Sequence, residues 1–329
     1  MSGKRNFRAL RVYKSEDRVR SRVEEVSEEE LPEGELLLRV HRSSLNYKDA
    51  LSAAGHPGVT KNYPHTPGID AFGVAEEGPF PAGTELIVTG FDLGMNTWGG
   101  FGELIRVPAQ WAIPLPEGLS LEHAAALGTA GLTAGLCVDA LLSAEVTPER
   151  GPVLVTGATG GVGSLALGIL DRLGFRVEAL SGKENAEEFL SPLASELELL
   201  PRETVAESPH RPLLSERWQG AVDTVGGETL GGLLRSVAYG GAVAACGNAG
   251  GAELSTTVYP FILRAIRLQG VDSAQAEIKK RNEIWSKLAG PWKPKNLDTI
   301  VERIGLEEIP GAVEAMLSGD HRGRTVIML

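Results

Sequence analysis

The sequence predicts an α/β protein that combines a doubly wound parallel sheet with a second, β-rich and barrel-like domain. Short strand-like segments bounded by Gly or Pro dominate the first third of the chain. Apolar strands then alternate with helical stretches, which requires a parallel sheet covered by helices on both faces. A chain of 329 residues is also longer than one core usually grows, so we expect two domains.

The β-rich domain is predicted from segments rich in branched aliphatic residues. These segments are "GELLLRVHRSSL" (34–45), "TELIVTG" (84–90) and "GELIRVP" (102–108). Near the other end of the chain, "LEEIPGAVEAMLSG" (306–319) predicts a helix and "RTVIML" (324–329) predicts a strand. We expect this strand to return to the first domain, which would then comprise residues 1–122 and 300–329.

A change of pattern marks the second domain, predicted over residues 123–299. It begins in an alanine- and leucine-rich helix, "SLEHAAALGTAGLTAGLCVDALL" (120–142), with Ser120 as a plausible N-cap. Strands such as "PVLVTG", "FRVEALSG" and "GAVAACGNAGG" follow, separated by helical stretches. Each strand ends in small or polar residues, which is typical of the edge of a parallel sheet where ligands bind.

A glycine-rich turn follows the strand "VLVT" and precedes an apolar helix. Glycines there allow close approach to a pyrophosphate, and the helix N-terminus offers unpaired N–H groups. We therefore predict a Rossmann-type dinucleotide site. The alternative is a tight turn between strand and helix that binds no nucleotide, which would have a similar sequence pattern. The short-chain dehydrogenases need a Tyr-x-x-x-Lys pair, and none of the five tyrosines is followed four positions on by lysine. The residues predicted to contact the pyrophosphate are Thr159, Gly160, Gly161 and Val162.

Composition narrows the class of partner. The net charge is -11 and the pI about 5.2, which argues against nucleic acid or an anionic membrane as a main partner. Cys137 and Cys246 are the only cysteines, too few for a disulfide framework or a zinc ligand set. The sequence shows neither a secretory h-region nor an unbroken apolar run of membrane-spanning length. We expect a cytoplasmic protein that binds small molecules.

Domain order and several motifs resemble the medium-chain dehydrogenase/reductase superfamily over nearly the entire chain. Within it, the strings look like the zinc-independent quinone oxidoreductase family, in the acryloyl-CoA reductase branch. They are "SSLNYKDAL" (43–51), "PGIDAFG" (67–73), "WGGFGE" (98–103), "VTGATGGVGS" (155–164), "DTVGG" (223–227) and "PFILRAIRLQGVDS" (260–273). The resemblance implies a GroES-like catalytic domain, NADPH, no metal, and reduction of a carbon–carbon double bond conjugated to a carbonyl.

The end of the second strand of the nucleotide-binding domain bears on the choice of cofactor. NAD enzymes place a carboxylate there for the ribose hydroxyls, whereas here Ser181, Gly182 and Lys183 follow the strand. A lysine suits the 2′-phosphate of NADPH, although a solvated surface lysine would look the same. By resemblance, Arg202 is a second cation near that phosphate.

The catalytic segment is predicted from what replaces the metal ligands. Zinc-dependent members of the superfamily carry a cysteine near "NYKD" and a Gly-His-Glu near "GID", and neither is present here. Tyr47 and Asn46 could donate hydrogen bonds to a developing enolate oxygen, and Asp49 could orient Lys48 or Tyr47. Tyr47 could instead only shape the pocket.

The remaining site predictions concern contacts to the cofactor. Strand ends suggest Asn248 and Ser273 as contacts to its nicotinamide half, and the resemblance strengthens both. The resemblance also adds Tyr47, Ile262 and Arg324, the last of these without an independent physical argument. Asp223 could serve the site or cap a turn. A quinone or free enone is the alternative substrate, and a non-catalytic NADPH-binding protein the alternative class. A homodimer is an analogy only.

Overall fold

The computed structural model describes residues 5–16, 18–205 and 211–329. These residues form two compact units. Unit 1 contains the described residues up to Thr129, together with Ala274–Ser286 and Val301–Leu329. Unit 2 contains Ala130–Ser273 and Lys287–Ile300.

The strands are β1 (Asn6–Ser15), β2 (Arg18–Ser27), β3 (Leu36–Leu45), β4 (Asp70–Glu77), β5 (Glu85–Thr89), β6 (Leu104–Val107), β7 (Ala112–Pro114), β8 (Val153–Thr156), β9 (Val177–Leu180), β10 (Leu197–Leu200), β11 (Trp218–Asp223), β12 (Val237–Ala245), β13 (Arg267–Gly270), β14 (Val301–Ile304) and β15 (Arg324–Met328). The helices are α1 (Tyr47–Ala53), α2 (Leu121–Ser143), α3 (Gly161–Arg172), α4 (Ala186–Leu190), α5 (Gly227–Leu234), α6 (Tyr259–Arg264), α7 (Ile278–Ala289) and α8 (Ile309–Leu317).

Unit 1 is built on a sheet with the strand order β14-β15-β3-β4-β5-β7, to which β6 adds by pairing with β3. Its neighbours are antiparallel except for the parallel pair β14 and β15. Leu36, Leu38 and Val40 of β3 pack against Leu86 and Val88 of β5 in one apolar core. The pairing of β15 with β3 confirms that the last strand returns to the first part of the chain.

Unit 2 contains a parallel sheet with the order β10-β9-β8-β11-β12-β13. The strands β8 (VLVT) and β9 (VEAL) are buried at every residue, as expected for a sheet covered on both faces. The strand order reverses between β8 and β11, and the glycine-rich turn follows β8 at that point. Ligands of doubly wound sheets bind at such a reversal, outside the carboxyl ends of the strands. The predicted α/β fold class is confirmed.

The units differ from the predicted domains at three places. Residues 123–129 and 274–286, predicted for the nucleotide-binding domain, cluster with unit 1, and Ile300, predicted for the β-rich domain, clusters with unit 2. Arg281, a fully buried residue of α7, ties the second segment to unit 1, because its guanidinium donates to the backbone oxygens of Thr89 and Ala274. Trp285 also packs edge-on against Phe72, with ring centroids 6.4 Å apart.

Helix α2 is long and apolar enough to cross a membrane by composition alone, which corrects the expectation that no such segment is present. However, 72% of its most apolar window is buried inside the protein, as in a core helix. It is also broken at Gly128, whose φ of 55° and ψ of -160° are not helical. The unit boundary falls just beyond this break, between Thr129 and Ala130.

Candidate active site

Helix α1 presents Tyr47 at its first position, directly after the N-cap residue Asn46. Tyr47 is 52% exposed, and its hydroxyl makes no hydrogen bond within the described part of the chain. A large aromatic residue is usually more buried than this, so an exposed tyrosine with a free hydroxyl is a candidate ligand contact.

Asn46 differs from Tyr47 because its side chain is buried and both of its amide atoms are hydrogen-bonded. Its Nδ2 donates to Asp70 Oδ2 at 2.8 Å, to Ser44 O at 3.2 Å and to Asp49 Oδ2 at 3.3 Å. Its Oδ1 accepts from Arg324 Nη1 at 3.3 Å. Both amide hydrogens are therefore used in hydrogen bonds within unit 1. This argues against the predicted role of Asn46 as a donor to substrate and favours a role in positioning the start of α1.

Asp49 is completely buried and ties α1 to the start of β4. Its Oδ1 accepts from the backbone N–H groups of Ile69 at 2.7 Å and Gly68 at 3.2 Å, and its Oδ2 accepts from Asn46 N at 2.9 Å. These bonds go to backbone and Asn46, so the idea that Asp49 orients Lys48 or Tyr47 directly does not fit this geometry. Burial, followed by the charge of Asp70, raises the pKa of Asp49 to about 7, and the N–H donors oppose that rise.

Asp70, which the sequence-based prediction did not single out, lies at the centre of this network. Its Oδ2 accepts from Ser44 Oγ at 2.6 Å, from Asn46 Nδ2 at 2.8 Å and from Thr129 N at 3.0 Å. Its Oδ1 accepts from Thr129 Oγ1 at 2.6 Å. We call this set the Asp70 cluster: Ser44, Asn46, Asp49, Asp70, Thr129 and Arg324. The sheet register could have suggested it, because extending the β3–β4 pairing beyond Arg42 and Phe72 brings Ser44 opposite Asp70.

Arg324, for which the resemblance implies contact with a cofactor, is buried in the same cluster, and its Nη2 has no hydrogen-bond partner among the described residues. It is 2% exposed. Its Nε donates to Ala126 O at 2.9 Å, and its Nη1 donates to Leu45 O and Asn46 Oδ1, both at 3.3 Å. Burial lowers the pKa of Arg324, and the charges of Asp70 and Asp49 oppose that change.

The break in α2 leaves room for this cluster. A Cβ on Gly128 would lie 2.5 Å from Ser44 Oγ and 2.7 Å from both Arg324 Nη2 and Asp70 Oδ2. Because the φ of Gly128 is also positive, only glycine is compatible with this position. The non-helical geometry directs the N–H and hydroxyl of Thr129 toward Asp70.

In unit 2, the glycine-rich turn has the shape that a pyrophosphate requires. Gly157 has a φ of 58°, and a side chain on Gly163 would overlap the carbonyl oxygen of Gly157. Gly160 is the N-cap of α3, so the predicted residues Gly161 and Val162 occupy its first turn. The N–H groups there have no partner within a helix, which is the basis of anion binding at helix N-termini.

The predicted 2′-phosphate residues come together at the end of β9. A Cβ on Gly182 would lie 2.5 Å from Arg202 Nε, so the Arg202 side chain rests against the backbone of Gly182. Ser181 Oγ lies 3.3 Å from Thr159 Oγ1 and accepts from Lys183 N at 3.3 Å. The Arg202 guanidinium and the Ser181 hydroxyl therefore lie at one short stretch of backbone, which also carries Lys183. These donors fit a phosphate better than a ribose diol.

The other predicted residues of unit 2 are more dispersed. Asn248 is exposed beyond the end of β12, and Ile262 is 67% exposed on α6. Ser273 Oγ accepts from Thr133 Oγ1 at 2.6 Å. Asp223 accepts from Thr156 Oγ1 at 2.6 Å and from Gly226 N at 2.8 Å, so it holds a turn at the carboxyl edge. Burial raises the pKa of Asp223, and the bond from Thr156 opposes that rise. Within the described residues, no group of three or more His, Cys, Asp or Glu side chains is arranged for a metal.

Comparison with known proteins places this geometry in a family. Residues 32–117 match the alcohol dehydrogenase GroES-like domain. The chain is 43% identical to the "Probable acrylyl-CoA reductase AcuI" of Escherichia coli, over 98% of this chain and 99% of that protein. It is 42% identical to the "Putative quinone oxidoreductase YhfP" of Bacillus subtilis, over 98% of this chain and 99% of that protein. The chain belongs to the medium-chain dehydrogenase/reductase superfamily.

Solved structures of this superfamily agree with the fold. The yhdH oxidoreductase from Salmonella enterica, in complex with NADP, superposes with a TM-score of 0.94 at 42% identity, covering 98% of this chain and 99% of that one. The Bacillus subtilis protein yhfP, with NAD bound, superposes with a TM-score of 0.95 at 42% identity, covering 99% of this chain and 100% of that one. Family membership, predicted from the motifs, is thereby confirmed. The site residues stay predictions.

Proposed function

We propose that the protein is an NADPH-dependent reductase of the conjugated double bond of a small α,β-unsaturated acyl-CoA, converting acryloyl-CoA to propanoyl-CoA. The observation that carries the proposal is the Arg202 side chain against Gly182, between Ser181 and Lys183 in the chain, a set of residues suited to a 2′-phosphate. When bound, NADPH supplies a hydride from its nicotinamide ring. The name of the Escherichia coli relative supports the substrate, and the NADP bound in the Salmonella enterica structure supports the cofactor, whereas the Bacillus subtilis structure has NAD bound.

Residues of unit 2 would bind the cofactor. The N-terminus of α3, with Thr159, Gly160, Gly161 and Val162, would hold the pyrophosphate. Lys183 and Arg202 would neutralise the 2′-phosphate, and Ser181 would donate a hydrogen bond to it. Asn248, Ile262 and Ser273 complete the proposed cofactor contacts.

Tyr47 is the proposed donor at the reacting carbonyl. Hydride addition to the β-carbon places negative charge on the thioester oxygen, and a fixed hydroxyl at that oxygen stabilises the charge. The exposed Tyr47 hydroxyl is free to make this bond, whereas the amide of Asn46 is not. A proton derived from solvent must then reach the α-carbon.

Reduction of a quinone or free enone is the second candidate, and the name of the Bacillus subtilis relative favours it. The cofactor site would be the same, because it lies in unit 2 and does not depend on the substrate. A protein of this fold that binds NADPH without catalysis is the third candidate. The free hydroxyl of the exposed Tyr47 argues for catalysis.

We also propose a homodimer of a cytoplasmic enzyme. Strand β13 ends the parallel sheet, and its Arg267 and Gln269 are exposed, so this edge could pair with a second copy. An exposed apolar group lies in the same unit: Tyr239, Val258, Tyr259, Ile262 and Leu263. Sedimentation equilibrium tests the proposal, which predicts twice the chain mass. A monomer at all concentrations would contradict it.

The substrate is tested by supplying NADPH with either acryloyl-CoA or a small benzoquinone and comparing kcat/KM. We expect acryloyl-CoA to be preferred and propanoyl-CoA to be recovered by mass spectrometry. A preference for the quinone would establish the second candidate. Tight NADPH binding without turnover of either substrate would establish the third.

A further inference from the structure

The two cysteines of the chain meet at the carboxyl edge of the parallel sheet in unit 2. Cys137 and Cys246 are its only cysteines, and neither is in a disulfide. Cys246 directly follows β12, and both its N–H, at 2.9 Å, and its thiol, at 3.5 Å, donate to Asp223 O at the end of β11. Cys246 is partly exposed, whereas Cys137 is completely buried. A dissolved reagent can therefore reach Cys246 first.

Helix α2 brings Cys137 to the same edge. Its Leu141 packs over β11, because a Cβ on Gly220 would lie 3.5 Å from Leu141 Cδ2. Cys137 lies one turn earlier on the same face of α2, and its thiol is hydrogen-bonded to the thiol of Cys246. The charge of Asp223 also acts on Cys137. Two thiols in such contact can form a disulfide with little movement of the backbone.

The two thiols are not equivalent. The hydrogen bond to Cys246, followed by burial, raises the pKa of the Cys137 thiol well above its ordinary value. Cys137 therefore remains protonated and donates its hydrogen to the sulfur of Cys246. An oxidisable cysteine needs partial exposure, and a neighbouring thiol converts its first oxidation product into a disulfide. Cys246 is therefore suited to react first and Cys137 second.

We propose that Cys246 and Cys137 form a modification site for peroxides, at which oxidation yields an intramolecular disulfide. In the first step, the sulfur of Cys246 attacks one peroxide oxygen, the O–O bond breaks, and the thiol proton leaves with the other oxygen. The sulfur of Cys137 then attacks the resulting sulfenic acid. The S–S bond forms, the S–O bond breaks, and water is released with the proton of Cys137. The two thiols lose two electrons in total, and these reduce the peroxide.

The disulfide acts on the loop that follows β12. Drawing the sulfur of Cys246 toward α2 breaks its hydrogen bond to Asp223 O. The next residue cannot move without displacing the turn after β11, because a Cβ on Gly247 would lie 2.2 Å from Thr224 O. Asn248, a proposed contact to the nicotinamide half of the cofactor, follows. The disulfide should therefore weaken NADPH binding. This consequence rests on the proposed function, whereas the formation of the disulfide does not.

The test exposes the full-length protein to hydrogen peroxide and maps its peptides by mass spectrometry without reduction. We expect one cross-linked pair of peptides that joins Cys137 to Cys246, and both thiols should disappear together when they are titrated in denaturant. The dissociation constant of NADPH should rise on the order of tenfold. Dithiothreitol should restore both thiols and the affinity. A sulfinic or sulfonic acid on Cys246 with Cys137 still free would overturn the inference, and so would a disulfide between two chains.

Two variants separate the roles of the thiols. In Cys137→Ala, the sulfenic acid on Cys246 should persist and be trapped by dimedone. Cys246→Ser should resist peroxide, because its remaining thiol is buried, and rapid oxidation of that variant would overturn the proposed order of reaction. A disulfide that leaves NADPH affinity unchanged would overturn the effect on the cofactor. If the reduced wild type turns over no substrate, the proposed function fails, while the peptide map still decides the modification site.

Discussion

The Nδ2 of Asn46 lies 2.8 Å from Oδ2 of Asp70, and this bond joins the start of α1 to the start of β4. Because the partner is a buried carboxylate, the amide nitrogen is held as a donor and its oxygen faces Arg324. Asn46 therefore fixes the position of Tyr47 without itself being available to a substrate.

Gly128 permits this arrangement, so Gly128→Ala should be severely destabilising. The added Cβ would meet Ser44, Arg324 and Asp70 at 2.5–2.7 Å, in a backbone conformation that side chains rarely adopt. Overpacking and backbone strain together should lower the free energy of unfolding by about 2–5 kcal/mol, which urea denaturation measures. Gly311→Ala is the matched control, because nothing lies within 4 Å of its Cβ position and its φ is not positive. Equal stability of the two variants would show that the cluster tolerates displacement.

Cofactor preference should respond to Gly182→Ala and Lys183→Glu. The alanine Cβ would displace Arg202, and the glutamate would repel a 2′-phosphate. A charge-assisted contact is worth about 1.5–3 kcal/mol, so NADPH binding should weaken about 10- to 150-fold while NADH binding changes little. Fluorescence titration with both nucleotides measures this, and Gly270→Ala serves as the control because nothing lies within 4 Å of that position. An equal loss for both nucleotides would place the 2′-phosphate elsewhere.

Asp49 should make the folded state less stable as the pH rises toward neutrality. Its folded pKa of about 7 lies above the ordinary value of 3.8, so the folded protein binds this proton more tightly. The stabilisation of the fold by this proton is complete below the pKa of Asp49 in the unfolded chain and is lost as the pH rises through its pKa in the folded protein. The free energy of unfolding should change with a steepest slope of about 1.4 kcal/mol per pH unit. The charged groups that face Asp49 are Asp70 and Arg324.

The measurement is the difference between wild type and Asp49→Asn in thermal unfolding from pH 4 to 8. At low pH Asp49→Asn should be less stable than wild type, because it loses an acceptor for Asn46 N. The difference in stability between the two proteins should narrow as the pH rises. Parallel stability curves would mean that Asp49 stays ionised throughout.

Tyr47→Phe should lower the rate of hydride transfer with little change in NADPH affinity. Loss of one oxyanion donor costs about 2.7–4 kcal/mol in well-studied sites, and solvent at this half-exposed position would reduce the effect. Single-turnover kinetics measure the rate. A changed KM with an unchanged hydride step would mean that Tyr47 shapes the pocket only.

Much of the fold could be predicted from local sequence patterns. The glycine turn, the apolar strands and their alternation with helices can each be recognised within a short stretch of the chain. Arg202 came from the family resemblance alone, and the parallel pairing of β9 with β10 is what brings it beside Gly182. The Asp70 cluster could not be predicted, because Ser44, Asp70, Thr129 and Arg324 come from distant segments that only sheet register and the break at Gly128 bring together. The burial of Arg324 could not be predicted for the same reason, because nothing in "GRT" indicates a buried position.

The most direct test of the central claim follows the hydride itself. NADPH carrying deuterium at nicotinamide C4 is mixed with acryloyl-CoA in ordinary water, and propanoyl-CoA is analysed by NMR. The account predicts deuterium on the β-carbon and a solvent-derived hydrogen on the α-carbon. Propanoyl-CoA without deuterium on the β-carbon, using NADPH labelled on each face in turn, or no propanoyl-CoA at all, would contradict it.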